Sequence, residues 1–208
     1  MQLLPALPGR KFYFGKKLKR RRPVIVYTDA MYDSGKTPAG MVGIVIYDPE
    51  DKESVWRYAS AGVTDDIIAR FRPRQQYVGQ LEVLAAVAAY TSRPDQLRDR
   101  DVIHFIDNVG AYSGLGKGYS PDIDSSRMIS VFHTMNAALR SNVWFEYVPS
   151  KANISDLPSR NEFELLKSPE FKALEFELVW PPVSAWIGEY GALFALFSDL
   201  KRRKRSRK

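Results

Sequence analysis

Four carboxylates fall in a spaced order along the chain: Asp29, Glu82, Asp107 and Asp156. Three of them interrupt strongly apolar runs. Asp29 ends Val24-Ile25-Val26-Tyr27-Thr28-Asp29, Glu82 lies within Leu81-Glu82-Val83-Leu84-Ala85-Ala86-Val87-Ala88-Ala89, and Asp107 ends Val102-Ile103-His104-Phe105-Ile106-Asp107. A carboxylate in such a run is costly to bury unless something compensates its charge. Three or four that converge offer hard oxygen ligands to divalent cations, and so a site for phosphate chemistry. The bland alternative makes the first three strand ends and a snorkelling glutamate, and the fourth part of a helix cap in Asn153-Ile154-Ser155-Asp156. The apolar context weighs against that alternative for the first three and says little about Asp156. The only histidines, His104 and His133, fall on a strand and a helix without metal-ligand spacing and read as packing residues. Gly114, Gly116 and Gly118 lack the Lys-Ser/Thr that a phosphate loop requires, and read as a flexible turn near the site.

The elements that must position these acids alternate in type. Val24–Thr28 reads as a buried strand, Met41–Tyr47 as a second and Ser54–Ala61 as a third, joined by the turns Ser34-Gly35-Lys36-Thr37-Pro38 and Asp48-Pro49-Glu50-Asp51. Short turns between three strands predict an antiparallel meander. An Ala- and Leu-rich helix spans about Gln75–Thr91, apolar nearly all round and therefore buried, and Pro94 stops it. Asp101–Ile106 is a fourth strand, Ser125–Leu139 has helical periodicity, and Asn142–Val148 is a fifth strand. Three antiparallel strands followed by two crossover units predict one mixed five-stranded α/β sheet with helices on its faces. If the fourth strand lies beside the first, Asp29 and Asp107 become neighbours and Glu82 faces them from the helix.

Charge is divided unevenly along the 208 residues. Residues 1–22 carry eight basic groups and no acid, residues 201–208 carry seven more, and the stretch 23–200 has a net charge of −8. Cationic ends bind nucleic acid without sequence preference through counterion release. An acidic body that handles polyanions needs metal ions to offset its own charge. Cysteine is absent, which excludes disulfides and thiolate metal sites and fits a reducing intracellular compartment, nucleus or cytoplasm. No apolar stretch approaches the roughly 20 residues of a membrane span. Four segments follow: a basic arm over 1–22, a folded unit over 23–160, an apolar extension over 161–200 and a basic tail over 201–208. The extension, with Leu166, Phe171, Trp186, Phe194 and Phe197, would be a large sticky surface unless it docks on the body or on a partner protein.

Four blocks carry a resemblance. They are Val26-Tyr27-Thr28-Asp29-Ala30, Gln80-Leu81-Glu82-Val83-Leu84-Ala85, Phe105-Ile106-Asp107-Asn108, and Val148-Pro149-Ser150-Lys151-Ala152-Asn153-Ile154-Ser155-Asp156-Leu157-Pro158-Ser159-Arg160. In order, spacing and context they resemble the ribonuclease H domain of retroelement, retrotransposon-type reverse transcriptases, over about residues 23–160. The resemblance implies a ribonuclease H-like fold with sheet order 3-2-1-4-5, and hydrolysis of the RNA strand of an RNA–DNA hybrid. It implies that Asp29, Glu82, Asp107 and Asp156 are the catalytic, metal-binding carboxylates, holding two Mg²⁺ about 4 Å apart, with Mn²⁺ as an alternative ion. One ion would activate the attacking water and the other would stabilise the leaving 3′ oxygen.

The chain departs from that pattern in several places. The loop before Asp156 has no histidine, where many members use one to assist proton transfer or product release, and Lys151 stands nearby as a phosphate contact. Asparagines that some members place before the helix glutamate are replaced by Val78-Gly79, so Gln80 and Asn108, with Asn153, become the candidate hybrid contacts. The basic protrusion of some members is missing, and the basic arms are its expected substitute. These departures keep open a second reading, a catalytically weak or inactive relative that binds nucleic acid. Two other nuclease types with related sheets fit less well. Proofreading exonucleases need a glutamate where this chain has Met31, and integrases need one near Asn142.

Overall fold

The computed structural model describes residues 21–51, 53 and 55–202. Most of the basic arm and of the basic tail lies outside those residues. The strands are β1 (Val24–Tyr32), β2 (Gly40–Tyr47), β3 (Trp56–Val63), β4 (Asp101–Ile106), β5 (Asn142–Tyr147) and a short β6 (Leu174–Glu175). The helices are α1 (Asp65–Ile68), α2 (Val78–Ser92), α3 (Pro94–Leu97), α4 (Val109–Lys117), α5 (Ile123–Leu139), α6 (Asp156–Ser159), α7 (Glu164–Lys167), α8 (Val183–Trp186) and α9 (Tyr190–Arg202).

The sheet runs β5-β4-β1-β2-β3-β6. β1, β2 and β3 form the antiparallel meander, whereas β4 joins β1, and β5 joins β4, in parallel. The first five strands therefore have the predicted order, because each helical crossover returns the chain parallel to a strand already laid down. The sixth strand was not foreseen. Two residues of the extension pair in parallel with the outer edge of β3, Leu174 opposite Arg57 and Glu175 opposite Tyr58.

Apolar side chains leave the sheet on both faces and make two cores. On one face α2 is sandwiched between β1 and α5, which is why Leu81 to Tyr90 are all buried and its sequence shows no polar side. On the other face Val45 and Tyr58 pack with Leu166 and Ala173, bordered by Ile154, Leu157 and Phe163. The extension serves both. It first covers the second core through α7, then crosses the edge of the molecule, where Val179 N–H donates to Ser92 Oγ at 2.8 Å and the Arg93 guanidinium lies over the Phe176 ring. It then lays Trp186, Phe197 and Leu200 into the first core, with the Trp186 ring tilted against that of Phe71 at 5.2 Å. The apolar residues of 161–200 are thus packed largely on the chain's own body.

One expectation is corrected. The glycine-rich stretch after Asp107 is the helix α4, not a flexible turn. Asn108 caps it by accepting the Ala111 N–H at 3.0 Å, and Gly118 ends it in the left-handed conformation with φ 86°. Gly114 faces α5 so closely that a Cβ would lie 3.0 Å from Ile129 Cδ1, so the glycine serves helix packing.

Candidate active site

Each acid owes its place to a different element. Asp29 sits in β1 opposite Gly43 of β2. Asp107 follows Ile106, the last residue of β4, which pairs with Thr28. Glu82 projects from the first turns of α2, where that helix packs on β1. Their ligand oxygens lie within 4.8 Å of one another, with Asp29 and Glu82 buried and Asp107 half-buried. The parallel pairing of β1 with β4 creates this cluster, since it sets the middle of β1 beside the end of β4.

Electrostatically the cluster is starved of positive charge. Burial, reinforced by Asp107 and Asp156, pushes the Asp29 carboxyl up to about 7, against a hydrogen bond from Ser159 and the charge of Arg160, which lower it. Burial, followed by the charges of Asp29 and Asp107, raises Glu82 well above the usual carboxylate range. Glu82 Oε2 is buried and has no hydrogen-bond partner. A buried, unsatisfied oxygen among mutually repelling carboxylates is costly for a protein. The same arrangement matches what a hard dication needs, oxygen ligands and negative charge. The donor set therefore fits Mg²⁺ or Mn²⁺.

Asp156 stands apart from that triad. It opens α6, close enough to raise Asp29 and Glu82, but its Oδ1 accepts from Arg160 Nε at 2.7 Å, one helical turn on. Among the described residues, the cluster that could hold an ion consists of Asp29, Glu82 and Asp107.

The four candidate substrate contacts also divide. Gln80 is buried and its side-chain N–H donates to Asp122 Oδ1 at 3.1 Å, within a network that joins Arg74 to Asp122 and Asp124. Asn153 is buried; it donates to the Thr28 carbonyl at 3.2 Å and accepts from the Ser155 hydroxyl at 2.6 Å, tying the last loop to β1. Both side chains hold the fold together. Asn108 caps α4 directly beside Asp107, and Lys151 is exposed on the 3₁₀ turn Ser150–Ala152. His104 is fully buried between Tyr90 and Phe145, 2.9 Å from Thr28 Oγ1, and burial lowers its pKa to about 3.

Three residues outside the predicted set matter here. The Ser159 hydroxyl donates to Asp29 Oδ2 and lies 2.9 Å from the Asp156 carbonyl. Arg160 holds Asp156. Gly43 admits α6 onto the sheet: a Cβ there would lie 2.3 Å from the Ser155 carbonyl oxygen and 2.4 Å from the Ser159 nitrogen. A glycine inside an apolar strand was the available signal, because it marks a close backbone approach. Nothing in the sequence singled out Ser159 as the neighbour of Asp29.

Three antiparallel strands, two parallel additions in the order 3-2-1-4-5 and helices on both faces make this a ribonuclease H-like fold. No protein-family model matches the sequence, and no curated protein matches it. Among solved structures, it is similar to ribonuclease H1 from the halophilic archaeon Halobacterium salinarum NRC-1, with a TM-score of 0.48 and 18% identity over 68% of this chain and 98% of that one. It is also similar to the protease-reverse transcriptase of prototype foamy virus, with a TM-score of 0.43 and 11% identity. That alignment covers 71% of this chain and 22% of the viral one.

Proposed function

We propose that the chain is a metal-dependent endonuclease that hydrolyses the RNA strand of RNA–DNA hybrids and derives from a retroelement reverse transcriptase. The observation that carries this reading is the meeting of Asp29, Glu82 and Asp107 oxygens within 4.8 Å, with Glu82 Oε2 buried and unpartnered. The four ordered sequence blocks support it independently. Asp29, Glu82 and Asp107 hold the metal ions, Ser159 fixes the orientation of Asp29, and Asp156 joins as the fourth carboxylate on leaving Arg160. When bound, two Mg²⁺ ions, or Mn²⁺ in their place, supply Lewis-acid activation of water and stabilise the departing 3′ oxygen. Lys151, exposed on the turn before Asp156, meets a phosphate of the hybrid, and Asn108, next in sequence to Asp107, contacts the strand at the site. The basic arms add affinity that is independent of sequence and falls with salt.

A second reading has an observation of its own. The Asp156–Arg160 ion pair keeps the fourth carboxylate out of the triad, and the loop before it contains no histidine. Both favour a slow or inactive relative that binds nucleic acid. A labelled RNA–DNA hybrid incubated with Mg²⁺ separates the two. Under the first reading wild type cleaves the RNA strand, and Asp107→Asn falls by roughly a hundredfold or more, since even losing a partner behind a metal ligand costs 10- to 100-fold. Equal behaviour of wild type and Asp107→Asn leaves the second reading standing.

A further inference from the structure

Among the described residues, the β5 edge of the sheet is unpaired and carries a feature that cleavage does not use. β5 is its outermost strand beside β4, and Trp144, at its third position, is 68% exposed. Trp144 is the most exposed of the chain's four tryptophans: Trp186 is buried, and Trp56 and Trp180 are half-buried. Its indole is held in place. The ring N–H donates to Glu146 Oε2 at 2.9 Å, and the residue pairs across the strands with Ile103, itself paired with Ile25. It borders a cleft of about 510 Å³ whose other walls include Arg21, Arg22, Pro23, Asp101 and Asn142. Trp144 also borders a second cleft, of about 360 Å³, together with Tyr112, Gly116 and Lys117.

We propose that this edge is a docking surface for single-stranded nucleic acid, with Trp144 as a base-stacking platform and Arg21, Arg22 and Lys117 as contacts to the backbone phosphates. The inference goes beyond the cleavage reading and does not depend on it. A rigid exposed aromatic ring beside cations is how proteins hold single strands without reading sequence, because every base has a π-face and every linkage a charge. Charge complementarity selects this occupant over an apolar peptide or a second copy of the chain. Arg21 and Arg22 end a run of eight basic residues over 1–22 that holds no acid, whereas the stretch 23–200 carries a net charge of −8. The two acids on this face are engaged: Asp101 Oδ1 accepts from Asn142 Nδ2 at 3.1 Å, and Glu146 accepts from Trp144 itself. Both contacts orient the surface.

The test uses the full chain, in EDTA, with an oligothymidylate of about 12 nucleotides, within the range that one single-strand-binding fold covers. Binding is followed by anisotropy of a labelled oligonucleotide and by quenching of intrinsic tryptophan fluorescence. Wild type should show saturable quenching. Trp144→Ala should lose the quenching and roughly tenfold in affinity, Trp144→Phe should keep most of the affinity, and Arg21→Ala with Arg22→Ala should lower the salt dependence. Unchanged thermal melting of Trp144→Ala verifies that the exposed site was altered without unfolding. Wild-type affinity in Trp144→Ala overturns the proposal, as does binding without any change in fluorescence. It is equally overturned if Trp144→Ala changes only the sedimentation of the free protein, because the edge would then join copies of the chain. Hybrid cleavage is measured on the same variants. Lost oligonucleotide binding with intact cleavage counts against this surface alone only if wild type also fails to bind, and absent cleavage with intact binding counts against the nuclease reading alone.

Discussion

Asp48 and Asp29 are both 5% exposed, and they are neutralised in opposite ways. Asp48, just past the end of β2, is clasped by Arg100: Nη1 donates to Oδ2 at 2.7 Å and Nη2 to Oδ1 at 2.8 Å, and Nη2 also reaches the Arg22 carbonyl at 3.0 Å. Asp29, inside β1, faces two further carboxylates and receives one hydroxyl. The fold thus supplies a buried carboxylate with a bidentate guanidinium where the role is structural. At the triad it supplies none, and leaves Glu82 Oε2 without any partner. The missing positive charge marks the site as one made for something other than stability, and a bound dication is the simplest counter-charge.

Breaking the structural pair should have the largest effect on stability. Arg100→Met strands a buried Asp48, and should cost about 3–5 kcal/mol in urea unfolding. A loss below about 1 kcal/mol would mean that Asp48 finds water instead, and the contrast between the two acids would weaken.

Titration sharpens the contrast next. The Asp29 carboxyl stands at about 7 in the fold, against an ordinary 3.8. Because its folded value is raised, its contribution to stability is fully present below 3.8 and is lost as pH rises through about 7. Metal-free protein should therefore lose on the order of 4 kcal/mol from this group across that window. The difference between wild type and Asp29→Asn isolates the term from that of His104. His104 has the opposite sign: its folded value is lowered from 6.5 to about 3, so its contribution is present above 6.5 and is lost as pH falls toward 3. Mg²⁺ added above neutrality should restore stability to wild type and do so less for Asp29→Asn. A flat difference curve would show that Asp29 is not held in a desolvated, repulsive site.

The smallest of the three effects concerns the seat of Asp29. Gly43→Ala drives a Cβ against the backbone at Ser155 and Ser159, so α6 must move off the sheet and Ser159 off Asp29. The overpacking should cost about 1–3 kcal/mol in thermal or urea unfolding, with a raised Mg²⁺ requirement in hybrid cleavage. Wild-type melting in this variant would mean that the close approach of α6 is dispensable.

Much of this architecture is local in origin and could be read in advance. Apolar alternation and turn residues located five strands, and the unbroken apolar run around Glu82 announced a helix buried on all sides. What could not be read in advance depended on partners remote in sequence. The stretch after Asp107 looked like a glycine-rich turn, and became helix α4 because Asn108 caps it and α5 accepts Gly114 at close range. The hydrogen bonds of Gln80 to Asp122 and of Asn153 to Thr28, beside its local one with Ser155, likewise arise only when distant elements meet. The two-residue β6 has no signal of its own, since Leu174-Glu175 is a strand only through pairing with β3.

What the sequence by itself determined is the set of acids and the elements that carry them, because a charge embedded in an apolar run is a local anomaly visible in one dimension. Tertiary structure alone decided how those acids are used. Parallel pairing of β1 with β4 brought Asp29 to Asp107, packing of α2 on β1 brought Glu82 to both, and the approach of α6 past Gly43 set Ser159 on Asp29 while Arg160 drew Asp156 aside. Distances between side chains on separate elements follow from register and packing, which arise only when the elements meet.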